Sequence, residues 1–143
     1  LAEFFREESV ASNISAGYDA NAEEAAELLV DGGRLHSILS AKQAQKMGIF
    51  LLSRAKEEAI LTAFTFDLLT VSAALKEATQ RRIQVQVYVD QSHSLRGTTA
   101  TQMDRLEDLR NHGVEVFLST GVSGGGTQHS KTLLVDRQFY LVG

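Results

Sequence analysis

The sequence predicts an α/β fold: a mixed, mostly parallel sheet flanked by helices, with a helical N-terminal segment ahead of it. Three observations lead there. From residue 59 onward, strand-type and helix-type stretches alternate, which is the pattern of a layered domain with crossover connections. The chain closes on two short β-type runs around a tight turn, which read as an antiparallel hairpin. With 143 residues, 43% hydrophobic and 22% charged, it is long enough to bury one real core and is close to an ordinary globular composition.

Proline is absent, so element boundaries rest on glycine, capping residues and periodicity. Residues 1–20 show no convincing period and read as an arm or frayed helix. Asn21 and Glu24 have capping-box spacing and open a helix running to Val30, which Gly32 and Gly33 end. Leu35, Ile38 and Leu39 form a second helical stripe, and a third helix is expected over 49–58, after Gly48. Residues 1–48 are thus expected to be a helical extension, and 49–143 the α/β domain. Residues 59–66 suit a central strand covered on both faces, residues 68–82 a helix, and residues 83–89 an alternating strand. Thr98 or Thr99 is expected to cap a helix with core stripe Met103, Leu106 and Leu109, ended by Gly113. A strand over 114–118 and a flexible 121–126 loop then lead to the hairpin, whose turn is Asp136, Arg137 and Gln138.

Composition narrows the function classes. Without cysteine there is no disulfide and no thiolate metal site, and with no compartment signal a cytoplasmic location is the default. The longest apolar run, 59–69, is interrupted by Asp67 and falls short of the roughly 20 residues a membrane span needs. A net charge of −4 argues against a surface coated for nucleic acid, so any polyanion site must be focused. The chain opens on Leu1 and stops at Gly143 on a strand, so both termini read as incomplete.

The chemistry concentrates at the end of the chain. On a strand, residues two apart share a face, so His129 and Lys131 would present an imidazole beside an ammonium. A neutral imidazole can attack phosphorus and form a covalent intermediate while the lysine neutralises the non-bridging oxygens; neither role needs a metal. Asp136 stands at an odd offset from both and opens the turn, where its carboxylate can bind backbone N–H groups and fix the hairpin.

The spacing H-x-K-x4-D-x6-G, met by His129, Lys131, Asp136 and Gly143, resembles the phospholipase D superfamily. Random placement of the chain's own residues would meet it in roughly 5 chains in 10,000. The resemblance extends over residues 49–143 and is greatest to the single-motif members, the bacterial endonuclease and mitochondrial cardiolipin-hydrolase types. It implies a phosphodiester hydrolase with catalytic residues His129, Lys131 and Asp136, of which His129 is the nucleophile and Asp136, from its place in the turn, a support, with Lys131 and Gly143 at the phosphate and no metal or cofactor. It also implies a homodimer in which the partner's copy of the same histidine protonates the leaving oxygen. The substrate would be single-stranded nucleic acid or a phospholipid. The family's serine and asparagine just past the glycine fall beyond Gly143, so the domain is expected to be truncated after the motif. Two alternatives stand beside this reading: a non-catalytic phosphate-binding or assembly module, and one half of a two-motif enzyme.

Other candidates weigh less. His93 follows a strand at the end where ligands gather in α/β sheets, and it joins the candidate site as a loop residue that could line the cleft. His36 and His112 suit helix-surface or dipole-compensating roles, and Arg81 and Arg82 a helix end. Gly124, Gly125 and Gly126 precede a strand rather than a helix and so do not form a phosphate cradle. Asp67 and Asp90, at strand ends, lack the partners of a metal site.

Overall fold

The computed structural model describes residues 27–30, 33–36, 40–96, 100–120 and 126–143. Strands β1 (Glu27–Val30) and β2 (Gly33–His36) form a two-stranded antiparallel sheet with Val30 opposite Gly33. This corrects the expected helices: 27–30 and 33–36 are strands, so the N-terminal extension is not simply helical. The connection between Val30 and Gly33 is Asp31-Gly32, a dipeptide that favours a two-residue hairpin over a helix stop. The expected arm and helix start in residues 1–26, Ile38 and Leu39 of the second stripe, and most of the 121–126 loop lie outside the described residues.

Helix α1 (Ala41–Arg54) begins eight residues before the expected start and crosses the expected boundary at 49. Ser40 and Gln43 close a complete capping box at its N-terminus, which fixes the start there. Gly48 lies inside this helix rather than before it. A Cβ there would come 3.6 Å from Leu133 and 3.7 Å from Leu141, so the helix approaches the sheet closely at that point.

A five-stranded sheet follows. Its strands are β3 (Glu58–Ala63), β4 (Gln84–Asp90), β5 (Glu115–Ser119), β6 (Thr132–Val135) and β7 (Phe139–Val142), in spatial order β5-β4-β3-β6-β7. Pairs β3–β4 and β4–β5 are parallel, joined by α2 (Leu69–Gln80) and by α3 (Gln91–Arg96) with α4 (Ala100–Asn111); pairs β3–β6 and β6–β7 are antiparallel. The sheet is therefore mixed, with flanking helices, and β3 is its central strand as expected. Helix α2 packs on β4, α4 on β5, and α1 on β6, β7 and α2.

Alternation sends Ala59, Val85, Val87, Val89, Leu133 and Val135 into one core with Leu52, Leu75 and Leu109. Side chains in between, such as Ile60, Thr62 and Tyr88, remain half-buried, so β3 is not covered equally on both faces. In α4 the inward stripe is Gln102, Leu106 and Leu109, whereas Met103 is 37% exposed and outside the core. Gln102 takes the inward place because it bridges two buried polar groups described below.

Candidate active site

Parallel strands β3, β4 and β5 end together, and antiparallel β6 begins at that same edge, with Thr132 opposite Thr62. His129 and Lys131 therefore arrive where the strand carboxyl ends of an α/β sheet leave a crevice. Both are exposed and both precede β6 rather than lying within it. The ladder stops at Thr132 because its N–H is taken by the Thr62 hydroxyl, at 3.1 Å, which also contacts the hydroxyls of Ser130 and Thr132. Even so, the extended backbone keeps the expected pair together: Lys131 Nζ lies 3.2 Å from His129 Nδ1 and donates to the His129 carbonyl at 3.0 Å. The N–H of Gly143 donates to the Lys131 carbonyl at 2.9 Å and tethers the pair's backbone to the end of β7.

His93 is brought to the same place. It sits on α3, where a loop was expected, and its ring centroid is 4.6 Å from that of Phe64; the ring of His129 lies 4.9 Å from the same Phe64. Three rings from three segments thus meet beyond the sheet edge, at separations typical of aromatic pairing. Asp136 is not among them. It lies at the far end of β6, where its carboxylate accepts the backbone N–H groups of Lys56, Glu57 and Glu58 at 2.9 to 3.0 Å.

Two residues of consequence were not singled out by their chemistry. Asp90, 1% exposed, accepts hydrogen bonds from the Ser92 hydroxyl (2.6 Å), His93 N–H (2.7 Å) and Gln128 N–H (2.8 Å). The Ser92 hydroxyl chiefly, with the two amides, holds its carboxyl below the usual range against the opposing effect of burial, so it is ionised at neutral pH. Gln102 bridges Ser94 and the Phe66 N–H, and Ser94 in turn donates to the Asp90 carbonyl at 2.7 Å. The signal available was Asp90-Gln91-Ser92-His93, an N-cap residue with its recipients, considered instead only as a strand-end metal carboxylate.

The remaining candidates have local explanations. His112 contacts the Asp108 carbonyl and carboxylate at the end of α4, and Arg81 donates to the carbonyls of Leu52, Ser53 and Ala55, closing the C-terminus of α1. His36 lies in β2. Among the described residues no three His, Asp or Glu side chains gather as a metal site, and no helix is long and apolar enough to cross a membrane. A largely apolar cavity of about 330 Å³ lies beside Lys131, between α1, the start of α2 and the β6–β7 hairpin, with Asp67 at its wall.

Comparison with known proteins agrees with this architecture. The fold is shared with Nuc of Salmonella typhimurium, a phospholipase D family member, at TM-score 0.54 and 23% identity over 63% of this chain. It is shared with NucT from Helicobacter pylori at TM-score 0.57 and 21% identity over 66% of the chain. The chain spans 55% and 61% of those two proteins. TrmBL2, an archaeal chromatin protein, matches over 90% of this chain and 44% of its own, at TM-score 0.51 and 14% identity. No curated protein sequence matches significantly. The family model described as "Cardiolipin synthase, PLD-like domain" matches residues 49–143, about two-thirds of the chain, and by that match the protein belongs to the phospholipase D superfamily.

Proposed function

We propose that the protein hydrolyses phosphodiesters through a phosphohistidine formed on His129. The observation that carries this reading is the exposed His129–Lys131 pair, 3.2 Å apart at the crevice edge of the sheet. An entering phosphate competes for the Lys131 ammonium, which moves from the imidazole to the non-bridging oxygens and neutralises charge as it builds. The freed imidazole nitrogen attacks phosphorus; a P–N bond forms and one P–O ester bond breaks. A second imidazole, from His129 of another copy of this chain, gives its proton to the departing alkoxide. Water then displaces the histidine from phosphorus, and its proton returns to the second imidazole.

Single-stranded nucleic acid and phospholipid both present the phosphodiester this chemistry needs. Assay of the full-length protein on single-stranded DNA, RNA and cardiolipin in the presence of a chelator separates them. Replacing His129 with alanine is expected to lower kcat by at least about 10³-fold on the true substrate, the order by which loss of a nucleophile acts. Retained turnover in that variant would end the phosphohistidine proposal. A second reading, phosphate binding without turnover, draws on the fold shared with the archaeal chromatin protein, which is described as binding DNA. Equal substrate binding by wild type and the alanine variant, with hydrolysis by neither, would favour it.

A further inference from the structure

Asp90 is a buried carboxylate that meets no cation among the described residues and is stabilised instead by one hydroxyl and two backbone amides. Such a group is tolerated away from water only when its hydrogen bonds are made, and each of its partners leads toward the site. Oxygen Oδ1 binds the Ser92 hydroxyl and the His93 N–H, capping α3; oxygen Oδ2 binds the N–H of Gln128, the residue directly before His129. The carbonyl of the same residue accepts from Ser94, which accepts from Gln102, whose own oxygen takes the Phe66 N–H two residues past Phe64. One buried polar chain therefore holds the backbone beside all three rings: His93, His129 and Phe64.

We infer that Asp90 is the positioning residue of this site: it sets the His129 imidazole against Phe64, with His93 bracing the same ring. The inference rests on the proposed role of His129. The geometry explains why an ionised side chain occupies a place where an amide would fit. Only a carboxylate has two acceptor oxygens, one for the α3 cap and one for the His129 segment. It also gives His93 a task that does not require contact with phosphate. Phe64 is half-buried and carries an imidazole at 4.6 Å and another at 4.9 Å, so loosening either neighbour changes how firmly the ring confines His129.

The test is Asp90→Asn in the full-length protein. The substitution keeps size and one acceptor but turns the other oxygen into a donor, which cannot serve both amides. Expected are a fall in kcat of about 10- to 100-fold with KM changed less than about threefold, the scale of a small misplacement of a reacting group. In the same folded variant the Gln128 amide should exchange faster with solvent, and the nuclear Overhauser contact between the His129 and Phe64 rings should weaken. Should Asp90→Asn fail to fold, Phe64→Leu removes the ring with the cap intact and is expected to lower kcat similarly. Unchanged kcat and ring contact in folded Asp90→Asn would overturn the inference, as would a lowered melting temperature with normal kcat. Absence of hydrolysis by the wild type would instead overturn the proposed function, and the exchange and ring-contact readings would still decide the role of Asp90.

Discussion

The Asp136 carboxylate gathers the amides of Lys56, Glu57 and Glu58 while its own backbone sits at φ 52°, followed by Arg137 at φ 54°. Positive φ at both central residues, with Gln138 N–H donating to the Val135 carbonyl at 3.0 Å, makes a turn of the I′ hand inside the three-residue connection that sets Val135 opposite Phe139. An aspartate tolerates that conformation better than most residues, and its side chain ties the turn to the start of β3, so the role follows from position. Loss of the carboxylate in Asp136→Ala is expected to cost about 3 kcal/mol, from orphaned amides and left-handed strain together. Asp136→Asn keeps an oxygen for Glu57 and Glu58 and should cost only about 1 kcal/mol. Urea unfolding of both variants measures this. A group that merely holds the hairpin should leave kcat of the folded protein within about threefold, on the reasoning that the reacting pair lies at the other end of β6; a hundredfold loss in fully folded Asp136→Asn would show participation in the chemistry. The odd offset of Asp136 from His129 and Lys131 made this separation legible in the sequence. The cap that Asp90 places on α3 was legible in the same way, but its hold on Gln128 was not, because that partner is a backbone N–H 38 residues along the chain.

Among the elements, those with strong period or composition were legible: the apolar run of β3, the alternation of β4, the span of α2 and the final hairpin all appear within a few residues of their expected places, although the inward stripe of α2 is Ser72, Leu75 and Ala78 and leaves Leu69 exposed. The failures share a cause, which is that glycine carries two opposite meanings. Gly32 and Gly33 suit the end of a helix, but Asp31-Gly32 also spells a hairpin, and Gly48 suits a boundary yet lies within α1. Only tertiary contacts decide between such readings. Met103 and Gln102 repeat the lesson on α4, where a buried hydrogen-bond bridge outranks hydrophobicity in choosing the inward side chain. Gly48 also yields a prediction. A Cβ at that position would meet Leu133 and Leu141 only at ordinary van der Waals distances, and the residue sits mid-helix without a positive φ. Gly48→Ala should therefore stabilise the protein by about 0.5–1 kcal/mol, through the backbone freedom that alanine removes from the unfolded chain. A raised urea midpoint with unchanged slope is the expected result, and a lowered midpoint would mean that α1 packs more tightly on β6 and β7 than those distances indicate.

At the scale of the whole chain, the decisive feature is that residues 1–143 carry one copy of the motif and therefore, on the proposed mechanism, one nucleophile. His93 stands close to Phe64, yet its place on α3 braces the ring rather than duplicating the His129–Lys131 pair. If the leaving oxygen takes its proton from His129 of another copy, catalysis belongs to a pair of chains, and two coupled imidazoles must hold one proton between them. The pH dependence of kcat/KM should then be bell-shaped, with limbs that belong to the pair rather than to either residue. Mixing gives a sharper test. Titrating excess His129→Ala protein into a fixed amount of wild type, with time for subunits to exchange, converts active pairs into mixed pairs holding a single imidazole. Activity should fall toward zero as the variant passes about tenfold excess, because random pairing then leaves roughly a tenth of wild-type chains paired with one another. Activity that stays constant through the titration, while mixed pairs are shown to form, would place the whole reaction within one chain and give the proton donor to a group other than the partner's histidine.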